Sequence, residues 1–499
     1  MELKKGLCIL WLLCVVIINA QTTVFQAHLS GWYPTEKTEL AAELDQLDRQ
    51  AREQYSAAID RDIRAIIVPH AGYRYSGTVA ASVYRLLDKN SYKTAIVICP
   101  AHTELFDGIG LPTFSSYEVP NGTITIARSI IEELANESPF VYDDISYQQE
   151  HAIEIQLPLI KRYLPKAHVV PLIIGKVTEE QLQDAALVLK KFINKKTLVI
   201  VSSDFTHYGK RFSYMPFEDY QSLRVKELDN QAVMLIQKAK PEPFAQFIVK
   251  SGTTICGHQA LELLLDLINQ DTFDDVEPRV IAYAQSSPLV DAASESVSYV
   301  GLTFTNKKLE QLAPDQQINQ FERRELVKTA RLALEHLFDE DFPKELTAPI
   351  STPFIRAMHG AFVTLKIKKT GVLRGCIGNI VGVEPLVPTI IRLTRDAALH
   401  DTRFVPVTLG EIPSLTLEIS LLSRPKRIKS STEIKLGTHG IILHHGKNQA
   451  VYLPEVAPEQ KWDLATTLAS LSEKAGLDAQ AWRDKNSWFE IFESLKIHE

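Results

Sequence analysis

The stretch VPHAGYRYSG (residues 68–77) continues the apolar run IRAII and places His70 between a proline and two small residues. A short run rich in isoleucine and valine is typical of a buried strand. Because strand ends in α/β domains open onto a crevice, a histidine here can meet a ligand or a metal ion without being buried first. The alternative is a histidine that only hydrogen-bonds the loop backbone.

Comparable runs recur along the first three-fifths of the chain, and each ends near a polar or small residue. They are RAIIVP, TAIVICP, HVVPLIIG, TLVIVSS and RVIAYAQ. Between them lie stretches with the apolar spacing of helices, namely LAAELDQLDRQAREQY, VAASVYRLL, SIIEELA, EEQLQDAALVLKKFI and QALELLLDLI. Alternation of strand and helix predicts an α/β domain over residues 24–305, with helices on both faces of a sheet.

The rest of the chain has a different pattern. Residues 306–320 (NKKLEQLAPDQQINQ) are polar, rich in glutamine and broken by Pro314, which predicts a linker. From about residue 321 a helical segment (RRELVKTARLALEHLF) precedes the β-like runs FVTLKI, LTLEISLLS, GIILHH and QAVYLP, and we expect helices at TTLASLSEKAG and in the tail. Segregated helices and strands predict a smaller α+β domain over residues 321–499.

Composition limits the classes of function. The chain has 499 residues, so we expect at least two hydrophobic cores. Lys and Arg number 54 against 61 Asp and Glu, a net charge of −7, and no long basic stripe is present. Nucleic-acid binding is therefore disfavoured as the main role.

The first twenty residues, MELKKGLCILWLLCVVIINA, have the order of a secretory leader: two lysines, an apolar run and a small residue. We expect an exported protein, periplasmic or secreted. A membrane anchor at the N-terminus, which would be the chain's one membrane contact, and a cytoplasmic protein are the alternatives. Without the leader, Cys99, Cys256 and Cys376 are an odd and widely spaced set, which argues against a disulfide framework.

Histidine or cysteine side chains follow apolar runs repeatedly in the first domain, at His70, His102, His151, His207 and Cys256. A purely structural explanation would have to hold separately at each position, so a shared site is favoured. Imidazole nitrogen and thiolate sulfur suit Fe(II), Cu or Zn. Three ligands from His70, His102 and Cys256 would leave coordination positions open for a substrate or water.

Two further motifs could complete the site. In SSDFTHYG, the Asp204 carboxylate could hold the His207 imidazole in one tautomer and make it a general acid or base; helix capping is the alternative role for Asp204. In EHAIEIQLP, Glu150, His151 and Glu154 lie near a predicted helix start. One of these carboxylates could orient a metal ligand, and surface charge is the alternative.

Six ordered motifs together resemble the Memo family, called AmmeMemoRadiSam system protein B in bacteria and archaea, and the resemblance spans about residues 25–304. They are PHAGYRYSG, CPAHTELFDGIGLP, EHAIEIQLP, SSDFTHYG, ICGHQAL and SVSYVG. The resemblance implies a fold similar to the LigB-type extradiol dioxygenases, which hold non-haem iron at a crevice lined by histidines. It places His70, His102 and Cys256 on the family's metal-ligand positions, and His207 on the position of the dioxygenase base.

The chain departs from the dioxygenases at one ligand, because Cys256 stands where they have a carboxylate. A thiolate changes the behaviour of bound iron and suits copper, so ring cleavage does not follow. We expect Fe or Cu in preference to Zn. Two hypotheses stay open: a non-haem metal-dependent redox enzyme acting on an unidentified small molecule or peptide, and a non-catalytic metal-binding or peptide-binding adaptor.

The second domain is similar to the AMMECR family, AmmeMemoRadiSam system protein A, through LRGCIG, HDTRFVPVTLGEIPSLTLEISLLS and VYLPEVAPEQKW. In LRGCIG, Arg374 could lower the pKa of the Cys376 thiol and make it a nucleophile. Packing of Cys376 as a small apolar residue is the favoured alternative. Asp401 and Arg403 could complete an anion-binding or nucleophilic pocket, or form a simple surface ion pair.

The presence of both families in one chain implies a partner. Their shared system name joins them to a radical SAM protein, whose cysteine-rich cluster motif is absent from this sequence. We therefore expect that protein to be a separate partner. Fusion of families A and B fixes their stoichiometry and raises the local concentration of the two sites.

Overall fold

The computed structural model describes residues 24–27, 29–55, 62–103, 106–287, 294–306, 317–343, 348–350 and 352–499. The predicted leader (residues 1–20) and most of the predicted linker lie outside these ranges. In the part of the chain that is described, no helix has both the length and the apolar character needed to cross a bilayer. We refer to residues 24–306 as the N-terminal domain and to residues 317–499 as the C-terminal domain.

The N-terminal domain contains twelve strands among its described residues. In chain order they are β1 (Val24–Gln26), β2 (Ile63–Val68), β3 (Thr94–Pro100), β4 (Ile109–Leu111), β5 (Ser116–Val119), β6 (Gly122–Thr125), β7 (Phe140–Tyr142), β8 (His168–Ile174), β9 (Thr197–Ser202), β10 (His207–Tyr208), β11 (Glu277–Gln285) and β12 (Ser296–Thr305). Nine of them form one sheet in the order β10-β12-β2-β9-β3-β8-β4-β7, with β11 paired to β12. Strands β1, β5 and β6 form a separate small sheet.

The helices of this domain are α1 (Lys37–Gln54), α2 (Tyr73–Tyr84), α3 (Arg128–Leu134), α4 (Asp144–Tyr147), α5 (His151–Glu154), α6 (Leu157–Tyr163), α7 (Glu179–Lys190), α8 (Gln221–Gln237), α9 (Pro241–Ser251) and α10 (His258–Asn269). Helix α2 packs against β2 and β12, and α10 packs against β3 and β9. The centre of the sheet, β2-β9-β3-β8, is parallel, and β12 is antiparallel to β2. This arrangement confirms the predicted α/β class.

The segment VPHAGYRYSG (residues 68–77) connects the central strand β2 to α2. Every residue of β2 is buried, as expected for a parallel strand with both faces covered. Helix α2 begins at Tyr73, six residues before the apolar periodicity predicts. His70 therefore lies in the four-residue connection (residues 69–72) between a strand end and a helix start.

The C-terminal domain contains seven strands and five helices among its described residues. The strands are β13 (Gly360–Ile367), β14 (Leu373–Asn379), β15 (Leu415–Leu422), β16 (Lys426–Ile428), β17 (His439–His445), β18 (Asn448–Tyr452) and β19 (Ser487–His498). The helices are α11 (Gln320–Glu335), α12 (Pro353–Arg356), α13 (Leu386–Leu399), α14 (Val456–Gln460) and α15 (Leu464–Lys474). The sheet order is β14-β13-β15-β19-β17-β18, with β16 paired to β19, and the α+β prediction is confirmed.

One predicted element of this domain is wrong. The tail, expected to be helical, is the long strand β19, which pairs with both β15 and β17. Its sequence SWFEIFESLKIH is rich in aromatic and β-branched residues, which suit a pleated surface between two neighbours. Pairing with β15 and β17 makes this segment a strand, because its apolar spacing alone does not distinguish a helix from a strand.

The end of the predicted linker belongs to the second domain. Asn319 is the N-cap of α11 and forms a capping box with Glu322, so the helix begins three residues before the predicted segment. The Asn319 Nδ2 also donates to the carbonyl of Val280 on β11 at 3.0 Å. Lys226 of α8 pairs with the buried Glu325 of α11 at 2.6 Å. Polar contacts thus join the two domains beside the linker.

Candidate metal centre

Polar side chains follow three neighbouring strands of the parallel sheet. His70 follows β2, His102 follows β3, and Asp204 follows β9, which lies between them. The carboxyl ends of parallel strands share one edge of a sheet, so residues far apart in the chain meet there. The backbone N–H of His70 donates to Asp204 Oδ1 at 2.8 Å across 134 positions of sequence.

Three imidazoles converge at this edge. One ring nitrogen from each of His70, His102 and His151 lies within 4.8 Å of the other two. The ring centroids are 5.1 Å apart for His70 and His102, 4.4 Å for His102 and His151, and 5.2 Å for His70 and His151. Neutral imidazoles at these separations are a suitable donor set for one transition-metal ion. His151, expected only in a supporting role, is a member of the cluster.

Glu150 lies next to the Nδ1 atoms of two of the imidazoles, those of His102 and His151. Its side chain is buried and accepts from His102 Nδ1 at 2.9 Å and from the His102 backbone N–H at 2.7 Å. It also accepts from the Ala152 backbone N–H at 2.9 Å and lies 3.5 Å from His151 Nδ1. Burial opposes ionisation, but the hydrogen bond and charge of His102 prevail and lower the pKa of Glu150. The hydrogen bond to Glu150 leaves His102 Nε2 available to a metal ion, and His151 Nδ1 lies near the same carboxylate oxygen without a hydrogen bond to it.

The tautomer of His70 follows from its hydrogen bonds. The Ser202 hydroxyl donates to the Ala152 carbonyl at 2.8 Å and accepts from Gln156 Nε2 at 2.9 Å. Its single proton is therefore used, so His70 Nδ1, 3.1 Å away, must be the donor in that pair. His70 Nε2 is left unprotonated and can act as a ligand.

Cys256 lies beside this nitrogen, with Sγ 3.1 Å from His70 Nε2. The Asp204 backbone N–H donates to the same sulfur at 3.3 Å. Burial, followed by the negative charge of Asp204, raises the pKa of the thiol, so without a cation the sulfur is protonated and can donate to His70. The structure thus brings Cys256 to the edge of the histidine cluster, next to His70.

The expected pairing of Asp204 with His207 is wrong. His207 Nδ1 instead lies 3.0 Å from the carbonyl of Thr254, which can only accept, so this nitrogen carries the proton. Asp204 accepts from the backbone of His70. Its pKa is raised to about 7 by burial, against the effect of that hydrogen bond. The backbone carbonyl of Thr254, which no sequence pattern identifies as an orienting group, performs the role predicted for Asp204.

Glu154 contacts the N-terminal segment. Its carboxylate accepts from the Leu29 backbone N–H at 2.7 Å and from the Tyr33 hydroxyl at 2.8 Å. The same segment carries Trp32, whose ring lies 4.3 Å from that of His151. Glu154 therefore anchors one wall of the site, where the sequence predicted an orienting role toward a ligand.

The cluster opens into a cavity of about 740 Å³. This volume lies within the range of about 300–1,000 Å³ usual for small-molecule sites. Aromatic and polar side chains share the lining, which consists of Gly31, Trp32, His70, Ala71, Gly72, Tyr75, His102, His151, Asp204, His207, Arg211, Phe212, Ser286, Ser287, Glu295, Ser296, Val297 and Tyr299.

Comparison with known proteins agrees with this architecture. Residues 26–303, more than half of the chain, match the family described as Memo-like protein. The chain belongs to the Memo family. Residues 327–497 match the AMMECR1 family, so the protein is a fusion of a Memo domain and an AMMECR1 domain.

Relatives of the Memo domain include the protein memo-1 homolog of Caenorhabditis elegans and protein MEMO1 of Homo sapiens. Each is 28% identical to this chain, and each alignment covers 56% of it, with 82% of the worm protein and 96% of the human protein covered. A solved structure, the uncharacterized protein PH0010 from Pyrococcus horikoshii, is 32% identical over 34% of this chain and 88% of its own, with a TM-score of 0.30.

In the AMMECR1 domain, the predicted site residues form two separate groups. The buried Arg374 donates to the Glu411 carboxylate at 3.0 Å and to the Val405 carbonyl at 2.9 Å. Cys376 lies on β14, at the edge of the sheet, and its sulfur accepts from Thr364 Oγ1 at 3.3 Å on the adjacent strand. Arg374 is thus occupied by other acceptors, and these contacts favour the packing interpretation of Cys376.

Asp401 and Arg403 pair with each other and with the backbone of Cys376. The Cys376 N–H donates to Asp401 Oδ2 at 2.8 Å, and Arg403 donates to the Cys376 carbonyl at 3.2 Å. Hydrogen bonds from Arg403 lower the pKa of Asp401 below the usual range. The two side chains satisfy the outward backbone groups of an edge strand, which protects that edge against pairing with another chain.

In the metal-free Memo domain we expect the His151 imidazole to titrate near pH 4, because burial and then the charge of His102 lower its pKa from 6.5. The unfolded chain takes up this proton first as the pH falls, so the free energy of unfolding should decrease between about pH 6.5 and pH 4. Histidine ring signals in NMR would report the midpoint, with His151→Asn assigning the resonance. A midpoint near 6.5 would contradict the burial described.

Proposed function

We propose that the Memo domain is a non-haem, metal-dependent redox enzyme, or the metal-carrying component of one, acting on an unidentified small molecule or peptide. The observation that supports this most strongly is the convergence of three imidazoles on one cavity, two of them, His70 and His102, with Nδ1 hydrogen-bonded to a buried side chain. Purely structural histidines would need neither a shared centre nor open space beside it.

A redox role favours iron or copper over zinc, because Zn²⁺ has no redox chemistry. His70, His102 and His151 would hold the ion, and the thiol of Cys256 beside His70 Nε2 would be a further ligand once deprotonated. Mixed imidazole and thiolate ligation suits Cu and Fe as well as Zn, and the open cavity leaves room for a substrate. When bound, such an ion supplies a one-electron redox centre and a Lewis acid.

His207 is the residue best placed to move a proton. Its Nδ1 is held by the Thr254 carbonyl, so the unprotonated Nε2 is free to accept. Burial lowers the pKa of His207, which keeps the ring neutral at pH 7 and ready to act as a base. Asp204, with a pKa near 7, lies on the same cavity and could hold a second proton.

The fusion also suggests a partner. Memo and AMMECR1 domains in one chain fit membership of the AmmeMemoRadiSam system, in which a separate radical SAM protein would act with this one. Export directed by residues 1–20 would separate it from a cytosolic partner. Fractionation of the native cells would therefore show whether the protein is exported or lies in the cytosol with a radical SAM partner.

Metal binding by the anaerobic full-length protein tests the donor set. His70→Ala should lose most of the iron(II) or copper(I) affinity, and Glu150→Gln should weaken it about 10–100-fold because His102 loses its orienting carboxylate. Chelator competition with elemental analysis would measure both. His258→Ala is the matched control, since this histidine follows Cys256 by two positions but pairs with Glu262. Equal affinities in wild type and His70→Ala would refute the site.

A second experiment separates an enzyme from an adaptor. With metal bound and ascorbate as reductant, we expect oxygen uptake by the wild type and at least a tenfold loss in His207→Ala, in line with the usual contribution of a general acid or base. Metal content should be unchanged, because His207 lies outside the three-histidine cluster. The melting temperature should fall only slightly, because the variant loses one hydrogen bond, to the Thr254 carbonyl. Wild-type turnover in this variant would exclude His207 as the proton carrier.

A further inference from the structure

The AMMECR1 domain contains a cavity of its own, of about 440 Å³. It lies between the segment around Ile380, which follows β14, and the face of the sheet formed by β17, β18 and β19. Its lining includes Ile442 from β17 and Glu490 from β19, and Arg424 from the connection between β15 and β16. None of these residues belongs to the Memo site or to the LRGCIG motif.

The floor of this cavity is apolar. Ile380 and Ile442 line it, and Ile442 belongs to a small buried cluster with Leu422 and Phe492, against which Ile380 packs. At the mouth, Met358 and Val381 are 52% and 59% exposed. Covering these exposed apolar side chains with a ligand removes them from water and lowers the free energy of the complex. A cavity of this size can enclose a small molecule.

Arg424 is the cationic group of this cavity. It forms no hydrogen bond or ion pair with any residue in the part of the chain that the structure describes. Other arginines of the domain are paired, among them Arg331 with Glu499, Arg374 with Glu411, Arg392 with Glu384 and Arg403 with Asp401. The guanidinium of Arg424, which lines the cavity, therefore has its hydrogen-bond donors available to a ligand.

Glu490, the acidic group of the lining, is already occupied. Its Oε2 pairs with His444 Nε2 at 2.8 Å, and its charged atoms form no ion pair with Arg424. A ligand with a second negative charge near Glu490 would be repelled, so a single anionic group is favoured. His359, between the lining residues Met358 and Gly360, has a buried Nε2 without a hydrogen-bond partner in the described structure.

We propose that this cavity binds a small organic monoanion, a carboxylate attached to an apolar body. The carboxylate pairs with Arg424, whose planar guanidinium can donate two hydrogen bonds to it. The apolar body covers Ile380 and Ile442 and shields Met358 and Val381 from water. The fused chain then has two ligand sites, a metal centre in the Memo domain and an organic-anion site in the AMMECR1 domain.

Octanoate and octanol are suitable probes, because they share an apolar chain and differ in charge. We expect calorimetry on the full-length protein to show one octanoate site, and we expect octanol to bind at least about tenfold more weakly than octanoate. Arg424→Gln should lower octanoate affinity about tenfold and leave octanol unchanged. Val381→Trp, at an exposed position, should fill the mouth and remove binding of both probes.

Arg427→Gln is the matched control. This arginine lies three residues further on, stacks over Trp488 at 4.5 Å and is not part of the lining, so its loss should leave octanoate affinity unchanged. Equal octanoate affinity in wild type and Arg424→Gln would overturn the proposal, as would equal affinity for octanol and octanoate. Absence of saturable octanoate binding to the wild type, or persistence of binding in Val381→Trp, would overturn it too.

Discussion

The Memo site depends on one buried carboxylate. Glu150 is removed from water, and a buried negative charge is tolerated only where hydrogen bonds replace its hydration. Here two imidazole rings and two backbone N–H groups surround it. The hydrogen bond from His102 that stabilises the charge also fixes the orientation of that ring, and His151 lies beside it with Nδ1 3.5 Å from the same carboxylate. The contacts that stabilise the buried Glu150 charge therefore also help to assemble the histidine cluster.

The parallel sheet supplies the other constraint. His70, His102 and Asp204 each follow a strand, and the three strands lie side by side, so their separation in sequence has no bearing on their separation in space. Ser202, the last residue of β9, fixes the tautomer of His70. Rigid strands and buried hydrogen bonds thus set the positions of the ring nitrogens before any ligand arrives.

Much of this could be predicted from the sequence, since apolar runs ending in histidine have a direct structural meaning. The α/β and α+β classes and the gathering of His70 and His102 at one edge follow from such patterns. The partner of His207 could not be predicted, because the carbonyl of Thr254 carries no residue-specific signal and arrives from 47 positions away. Likewise, the tail becomes a strand because β15 and β17 lie on either side of it.

The second domain extends the chemistry of the chain. Asp401 and Arg403 bind the outer backbone groups of the sheet edge at Cys376. The cavity at Arg424 offers a cation that has no ion-pair partner among the described residues. Between the domains, Lys226 and Glu325 form a largely buried ion pair. Glu325 also lies 3.4 Å from the exposed Lys328, whereas removal of Glu325 would leave the largely buried Lys226 without this partner.

The most direct test of the account is anomalous diffraction at the metal absorption edge, from crystals loaded anaerobically with iron or copper. We predict one strong peak about 2.0–2.3 Å from Nε2 of His70, His102 and His151, with Cys256 Sγ next to it. A peak at a different place in the molecule, or no peak while the three rings keep their positions, would contradict the central claim.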